Sequence, residues 1–250
     1  MIDTIINYCT IDFKFIERNI QECLKFSNNV IIPVSSHLFD GTPENNELLE
    51  KTYKLGEGHP NVSFIQYKWH DDQPARFFHN FSRWVGLQYS TADYVLMLDA
   101  DEIVDGDMMK EYLEQNIHQS YDVIAFKSYW YFREPTLQST TTELAASLWK
   151  RSICTPNLIF HDSERWSYRF TTLHAKEEET LKGKIICHHF SWVRSEADMI
   201  KKVKSWGHNI DTDWVSLVEE EFSRHFNGTD FVHHYRYITV PNQFNIMEKT

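Results

Sequence analysis

Basic charge is in short supply in this chain of 250 residues: 25 Lys and Arg stand against 36 Asp and Glu, a net charge of −11 at neutral pH. No basic run interrupts that balance. Affinity for a phosphate backbone needs a basic stripe, so no nucleic-acid partner is expected. Long apolar runs are missing too. Nothing approaches the roughly 18 residues of a membrane-spanning helix, so no membrane span is expected. Cysteine is scarce. Cys9, Cys23, Cys154 and Cys187 share neither a CxxC nor a zinc-type spacing, which argues for reduced thiols and a cytoplasmic location. The N-terminus has no basic segment leading into an apolar one, so no signal peptide is read. Internal repeats and low-complexity segments are absent.

What the chain has is apolar and aromatic material. At 42% hydrophobic residues it can bury a full core as one large domain or as one domain with an appendage. Aromatics reach 15%, with eight Trp, which suits either a well-filled core or a sugar-stacking groove.

The most informative stretch is Tyr94-Val95-Leu96-Met97-Leu98 followed by Asp99-Ala100-Asp101-Glu102. An apolar run of strand length ends in clustered carboxylates. Buried parallel strands read as unbroken apolar runs, and ligands of open α/β sheets bind beyond their carboxyl ends. Crowded carboxylates repel, and a divalent cation relieves that while bridging to phosphate oxygens. On an extended chain Asp99 and Asp101 share a side and Glu102 points away. This is a candidate metal–diphosphate site; a solvated acidic loop is the plain alternative.

Strand-like and helix-like periods alternate before it. Thr4 to Cys9, Val30 to Val34 and Val62 to Tyr67 read as strands. Helices are expected after Asp12, which can cap the Phe13, Ile16, Ile20, Leu24 stripe, then over Asn46 to Lys54 and from Phe77 to Tyr89. The alternation predicts an α/β fold, a mostly parallel central sheet flanked by helices. Beyond the acidic cluster a helix is expected around Asp107 to Asn116 and a strand over Asp122 to Lys127. Ser128 to Thr180 reads as loops and short strands, Lys184 to Cys187 as a last strand. Ser195-Glu196-Ala197-Asp198 starts a capped helix ending near Trp206, and another follows near Asp213 to His225. The organisation read is 1–125 as a nucleotide-binding half, 126–210 as the second half of the same domain, and 211–250 as a C-terminal helix and tail.

Arg83-Trp84-Val85-Gly86-Leu87, running without a gap through Ala92-Asp93-Tyr94 to Asp99 and Glu102, resembles the helix and Asp-x-Asp strand of family 2 glycosyltransferases, which have the GT-A fold. Upstream, Asp40-Gly41-Thr42 is similar to that family's Asp-Gly-Thr, but Ser35 and Ser36 stand where an acidic pair usually meets the base or ribose. This resemblance spans roughly residues 3 to 125. Downstream, His188-His189-Phe190-Ser191-Trp192 with Lys201, Lys204, Trp206 and His208 resembles the His-x-Ser-Trp segment and Lys-rich helix of family 17 transferases.

The resemblance implies a glycosyltransferase using a nucleoside-diphosphate sugar donor, Mn²⁺ or Mg²⁺, and a glycan or other hydroxyl acceptor, with inversion. It implies Asp101 as main metal ligand, Asp99 on the ribose or metal waters, and His189, or else His188, completing the metal. Carboxylate with imidazole suits Mn²⁺. Tyr8 would stack on the base near Ser35. Arg83 would pair with Asp99 or the diphosphate, and Lys201 and Lys204 would close over the phosphates. Inversion needs a carboxylate base, for which Asp162, Glu164 and Glu143 are the candidates. Aromatics of Ser128-Tyr129-Trp130-Tyr131-Phe132 could floor the sugar pocket. Two other classes stay open: a non-catalytic carbohydrate- or nucleotide-binding protein on a transferase fold, and a sugar-phosphate nucleotidyltransferase. The latter normally needs a Gly-rich loop after the first strand, and Asn7 to Asp12 has no glycine.

Overall fold

The apolar run that opens onto the acidic cluster is a strand, β4 (Tyr94–Asp99), in a computed structural model that describes residues 1–247. The end of the expected C-terminal segment, residues 248–250, lies outside the described residues. β4 is covered on both faces. Leu96 and Leu98 pack in one core cluster with Ile6, Ile16 and Ile20. Val95 and Met97 pack in another with Ile5, Leu87 and Trp149. Successive side chains leave a strand on opposite faces, so a doubly covered strand has no polar position to spare.

β1 (Ile2–Asn7), β2 (Asn29–Val34) and β3 (Val62–Gln66) run parallel to β4 in the order β3-β2-β1-β4. Helices α1 (Phe13–Cys23), α2 (Asn46–Lys54) and α3 (Ala75–Tyr89) connect them. α3 lies directly on β1: a Cβ on Gly86 would meet Ile5 Cγ2 at 2.5 Å, so glycine permits the approach. After β4 come β5 (Glu102–Val104) and α4 (Gly106–Glu114), whose N-cap Asp105 accepts from the Met108 amide at 3.0 Å. Asp12 precedes α1 as expected but makes no capping bond, because its carboxylate accepts from Arg194 instead.

The second half departs further from expectation. Ser128 to Thr180 is not mainly loops: β6 (Val123–Phe132) and β7 (Glu134–Lys150) form a long antiparallel hairpin of 10 and 17 residues. Its register shifts between Ala125 and Lys127 and again after Tyr129. Bulges break the period-2 pattern by which strands are read. β6 also runs through the 125/126 division. Beyond the hairpin lie the short α5 (Pro156–Ile159), a 3₁₀ turn Glu164–Phe170, β8 (Ala175–Glu179), β9 (Cys187–Trp192), α6 (Glu196–Ser205), α7 (Trp214–Phe222) and β10 (Tyr237–Thr239). The strand expected at Lys184 to Cys187 begins only at Cys187, since Leu181 and Lys184 close a turn on each other. His188 and His189 therefore sit within β9. Ser195 caps α6 as expected.

The sheet continues β4-β7-β6-β9-β5, with β10 on β7 and β8 on β6. It is parallel from β3 to β4 and mixed from there on. The C-terminal tail docks on it: Phe244 and Ile246 are buried with Tyr131 and Phe190. Among the described residues no helix is long and apolar enough to cross a membrane.

Candidate active site

A cavity of about 480 Å³ opens where β1 and β4 end. Asn7, Asp99, Asp101 and Glu102 reach it from the strand ends, Glu164 and Arg165 from the 3₁₀ turn, His189 and Ser191 from β9, Lys202 from α6, and Trp130 and Glu143 from the hairpin. The acidic turn is held from behind by Asn19 of α1, whose side-chain amide donates to the carbonyls of Ala100 (3.1 Å) and Glu102 (2.9 Å). These bonds fix a bend on which Asp99 and Asp101 both line the cavity but meet different partners.

Asp99 faces arginines. Arg83 of α3 donates to its Oδ1 at 2.7 Å and Arg165 to its Oδ2 at 3.1 Å. Arg165 also spans Glu102, 2.7 Å from Oε1, while Glu102 Oε2 accepts from the Asp99 amide at 2.8 Å. Burial pushes the Asp99 carboxyl up, but Arg165, Arg83 and His79 outweigh it and hold it well below the usual range. Glu164 shares this wall: burial opposes its charge, and His79 and Arg83 at 3.1 Å prevail and lower it.

Asp101 faces a different set. Its Oδ2 accepts from Arg194 at 2.9 Å and from Lys202, and its Oδ1 lies 3.5 Å from His189 Nε2. Burial again opposes ionisation, and Lys202, His189 and Arg194 lower the carboxyl regardless. Burial alone would lower His189, but hydrogen bonding to Asp101 and the charge of Glu102 raise it.

Several expected site residues come together here: Asp99, Asp101, Arg83, Glu164, His189 and Glu143. Others do not. His188 points to the opposite face of β9, where Tyr131 shares a 2.8 Å hydrogen bond with its Nδ1 and burial lowers it to about 4. Adjacent strand residues alternate faces, so one histidine of the pair is excluded. Tyr8 is buried in the core with its hydroxyl 2.6 Å from Thr52 Oγ1, so it offers no ring to a base. Ser35 lines a second cavity of about 730 Å³ between β2, β3 and α2. Asp162 is exposed and does not line the main cavity; Lys201 and Lys204 are exposed on α6.

The residues missed were Arg165, Arg194, Lys202, His79 and Asn19. For Lys202 a signal existed. It lies three residues after Met199 and four before Trp206, on the flank of the apolar stripe of α6, whereas Lys201 and Lys204 fall outside it. Arg165 and Arg194 pair with groups far along the chain, which no local spacing encodes.

The arrangement does not fit a resident divalent ion. Both oxygens of Asp99 are taken by guanidinia, and Asp101 Oδ2 by Arg194 and Lys202. Among the described residues no three His, Cys, Asp or Glu side chains converge as ligands. At about 4 Å and an effective dielectric near 20, a divalent ion would be repelled by the Lys202 ammonium by roughly 8 kcal/mol, about what the Asp101 carboxylate returns. Polar ligand groups fit better. Asn7 Oδ1, Glu164 Oε1, His189 Nδ1 and the indole nitrogens of Trp130 and Trp206, all on lining residues, are buried without a hydrogen-bond partner.

Residues 78–199 match the model of glycosyl transferase family 2. That stretch, just under half of the chain, is similar to the family 2 glycosyltransferases. It runs from α3 to the start of α6, so it takes in both the Asp99–Glu102 turn and the His-x-Ser-Trp segment likened to family 17. No curated protein matches the chain. Among solved structures it is similar to HddC from Yersinia pseudotuberculosis (11% identity, 76% of this chain and 94% of that one, TM-score 0.47). It is also similar to residues 1–349 of S. aureus TarS in complex with UDP-GlcNAc (12% identity, 89% and 72%, TM-score 0.48).

Proposed function

We propose that the chain transfers a sugar from a nucleoside-diphosphate donor to a hydroxyl of a glycan or other acceptor, with inversion at the anomeric carbon. The observation that carries this reading is the coincidence of family segment and cavity. His79, Asp99, Asp101, Glu102, Trp130, Glu143, Glu164, Arg165, His189 and Ser191 all belong to the 78–199 segment and line one space. Its wall bears fixed cations suited to a diphosphate, and its indoles suit the apolar faces of a pyranose. The unpaired cysteines support a reducing, cytoplasmic setting.

In this reading the acceptor oxygen attacks the anomeric carbon as the bond to the diphosphate oxygen breaks, the electron pair leaving with the diphosphate. A carboxylate must take the acceptor proton. Glu143 is the proposed base. Its Oε1 accepts from the Tyr235 hydroxyl at 2.7 Å and lies 3.5 Å from His233 Nε2. The Trp130 ring touches both His233 and His189, with centroids 4.9 and 4.6 Å apart, so Glu143 stands across one indole from the Asp101 wall. Glu164 is held ionised between Arg83 and His79, which makes it a poor proton acceptor, and Asp162 lies outside. The Mn²⁺ or Mg²⁺ expected from the sequence is left out of this reading because the Asp101 wall already carries its cations.

The test is nucleoside-diphosphate release from a panel of nucleotide sugars, with mixed glycan acceptors. Glu143→Gln is expected to lower kcat by about 10²-fold or more, with the donor KM little changed. An unchanged kcat would remove Glu143 from the role.

A further inference from the structure

The cations around Asp101 extend the transferase reading and rest on it. We infer that the Lys202 ammonium, backed by Arg194, is the partner of the donor's diphosphate, so that this chain binds and releases a nucleoside diphosphate without a divalent ion. Lys202 sits on α6 between the buried Met199 and Val203, with its ammonium at the cavity wall. An ammonium has three N–H donors. Here they go to Asp101 Oδ2, to the Ser191 hydroxyl at 2.8 Å and to the Ser191 carbonyl at 3.3 Å. The longest of these is the one a phosphate oxygen replaces.

Arg194 is held differently. It is fully buried, donating to the Ile11 carbonyl at 2.8 Å, the Ser191 carbonyl at 3.0 Å, Asp12 and Asp101. It is a fixed charge, while Lys202 is the reachable one on a flexible stem. As the anomeric bond breaks, charge grows on the departing phosphate oxygen. A cation already seated beside it stabilises that charge without reorganisation. Asp101 then pairs with Lys202 and competes with the diphosphate for its charge; it is not itself a ligand. Five carboxylates and four permanent cations surround this wall and its neighbour, so the loss of the Asp101 charge leaves the space more attractive to a diphosphate.

The experiment is calorimetric titration of UDP, GDP, ADP and dTDP into the full chain, in EDTA and in Mn²⁺, with Mn²⁺ occupancy read separately by electron paramagnetic resonance. One nucleotide is expected to bind in EDTA with a Kd within about threefold of that in Mn²⁺. Lys202→Met is expected to weaken it about tenfold or more and Lys202→Arg much less. Asp101→Asn is expected to tighten binding in EDTA. Circular dichroism confirms that each variant is folded. Binding that requires Mn²⁺, with bound Mn²⁺ lost in Asp101→Asn, overturns the inference and leaves the transferase reading standing. No binding of any nucleotide in either buffer overturns both.

Discussion

Two carboxylates of one turn, Asp99 and Asp101, stand in walls built on different principles. The Asp99 wall is a lattice of planar guanidinia. Arg83 and Arg165 join Asp99, Glu102 and Glu164 through α3, β5 and the 3₁₀ turn, with Arg83 and Glu102 essentially inaccessible. The Asp101 wall combines one buried guanidinium with an imidazole and a flexible ammonium from β9 and α6. A forked, always-charged group pre-organises a site, whereas an ammonium on a four-carbon stem can change partners. The contrast suggests that one wall fixes the cavity and the other meets its ligand.

Breaking the fixed wall has the largest expected effect. Arg165→Ala leaves Asp99 and Glu102 buried without the cation that spans them, and is expected to cost about 3–5 kcal/mol of stability by urea denaturation. A loss below about 1 kcal/mol would mean that this wall is not structural.

The paired histidines of β9 sharpen the contrast by pH. His188 titrates near 6.5 when unfolded and about 4 when folded, so the unfolded chain takes up its proton first as pH falls. Stability is therefore full above pH 6.5 and is lost down to about 4, by roughly 3 kcal/mol from this residue. His188→Phe is expected to flatten that part of the stability–pH curve; an unaltered slope would assign it to other groups. The His189 shift runs the other way, so its contribution is present at low pH and lost as pH rises through its raised folded value.

The smallest expected loss of stability is at Lys202. Lys202→Met leaves Asp101 with Arg194 and is expected to cost about 1–2 kcal/mol in the same denaturation experiment. A cost equal to that of Arg165→Ala would erase the distinction between the walls.

How much of this was legible in the chain follows the same division. The parallel half could be read because each strand is short, apolar and bounded by an amphipathic helix. β4 could be placed to within a residue because both its faces are buried. The hairpin could not. Gln138 to Glu143 is an unbroken polar run inside β7, and its pairing with β6 and β10 depends on contacts the local pattern does not hold. That Asp99, Asp101, Arg83 and His189 lie together could be read from strand ends and register. The places of Arg165 and Arg194 could not be, since each becomes a site residue only when segments more than 60 residues apart meet. Tyr8 and His188 show the opposite failure: the right position along the chain, with the side chain turned into the core.

The central claim is the reaction, and the most direct measurement follows the anomeric carbon of ¹³C-labelled nucleotide sugars by NMR, with wild-type protein and a mixture of acceptors. The account predicts loss of one α-linked donor, release of nucleoside diphosphate and a new β-glycosidic signal. Appearance of sugar 1-phosphate with nucleoside monophosphate, or no turnover of any donor by folded protein, would contradict it.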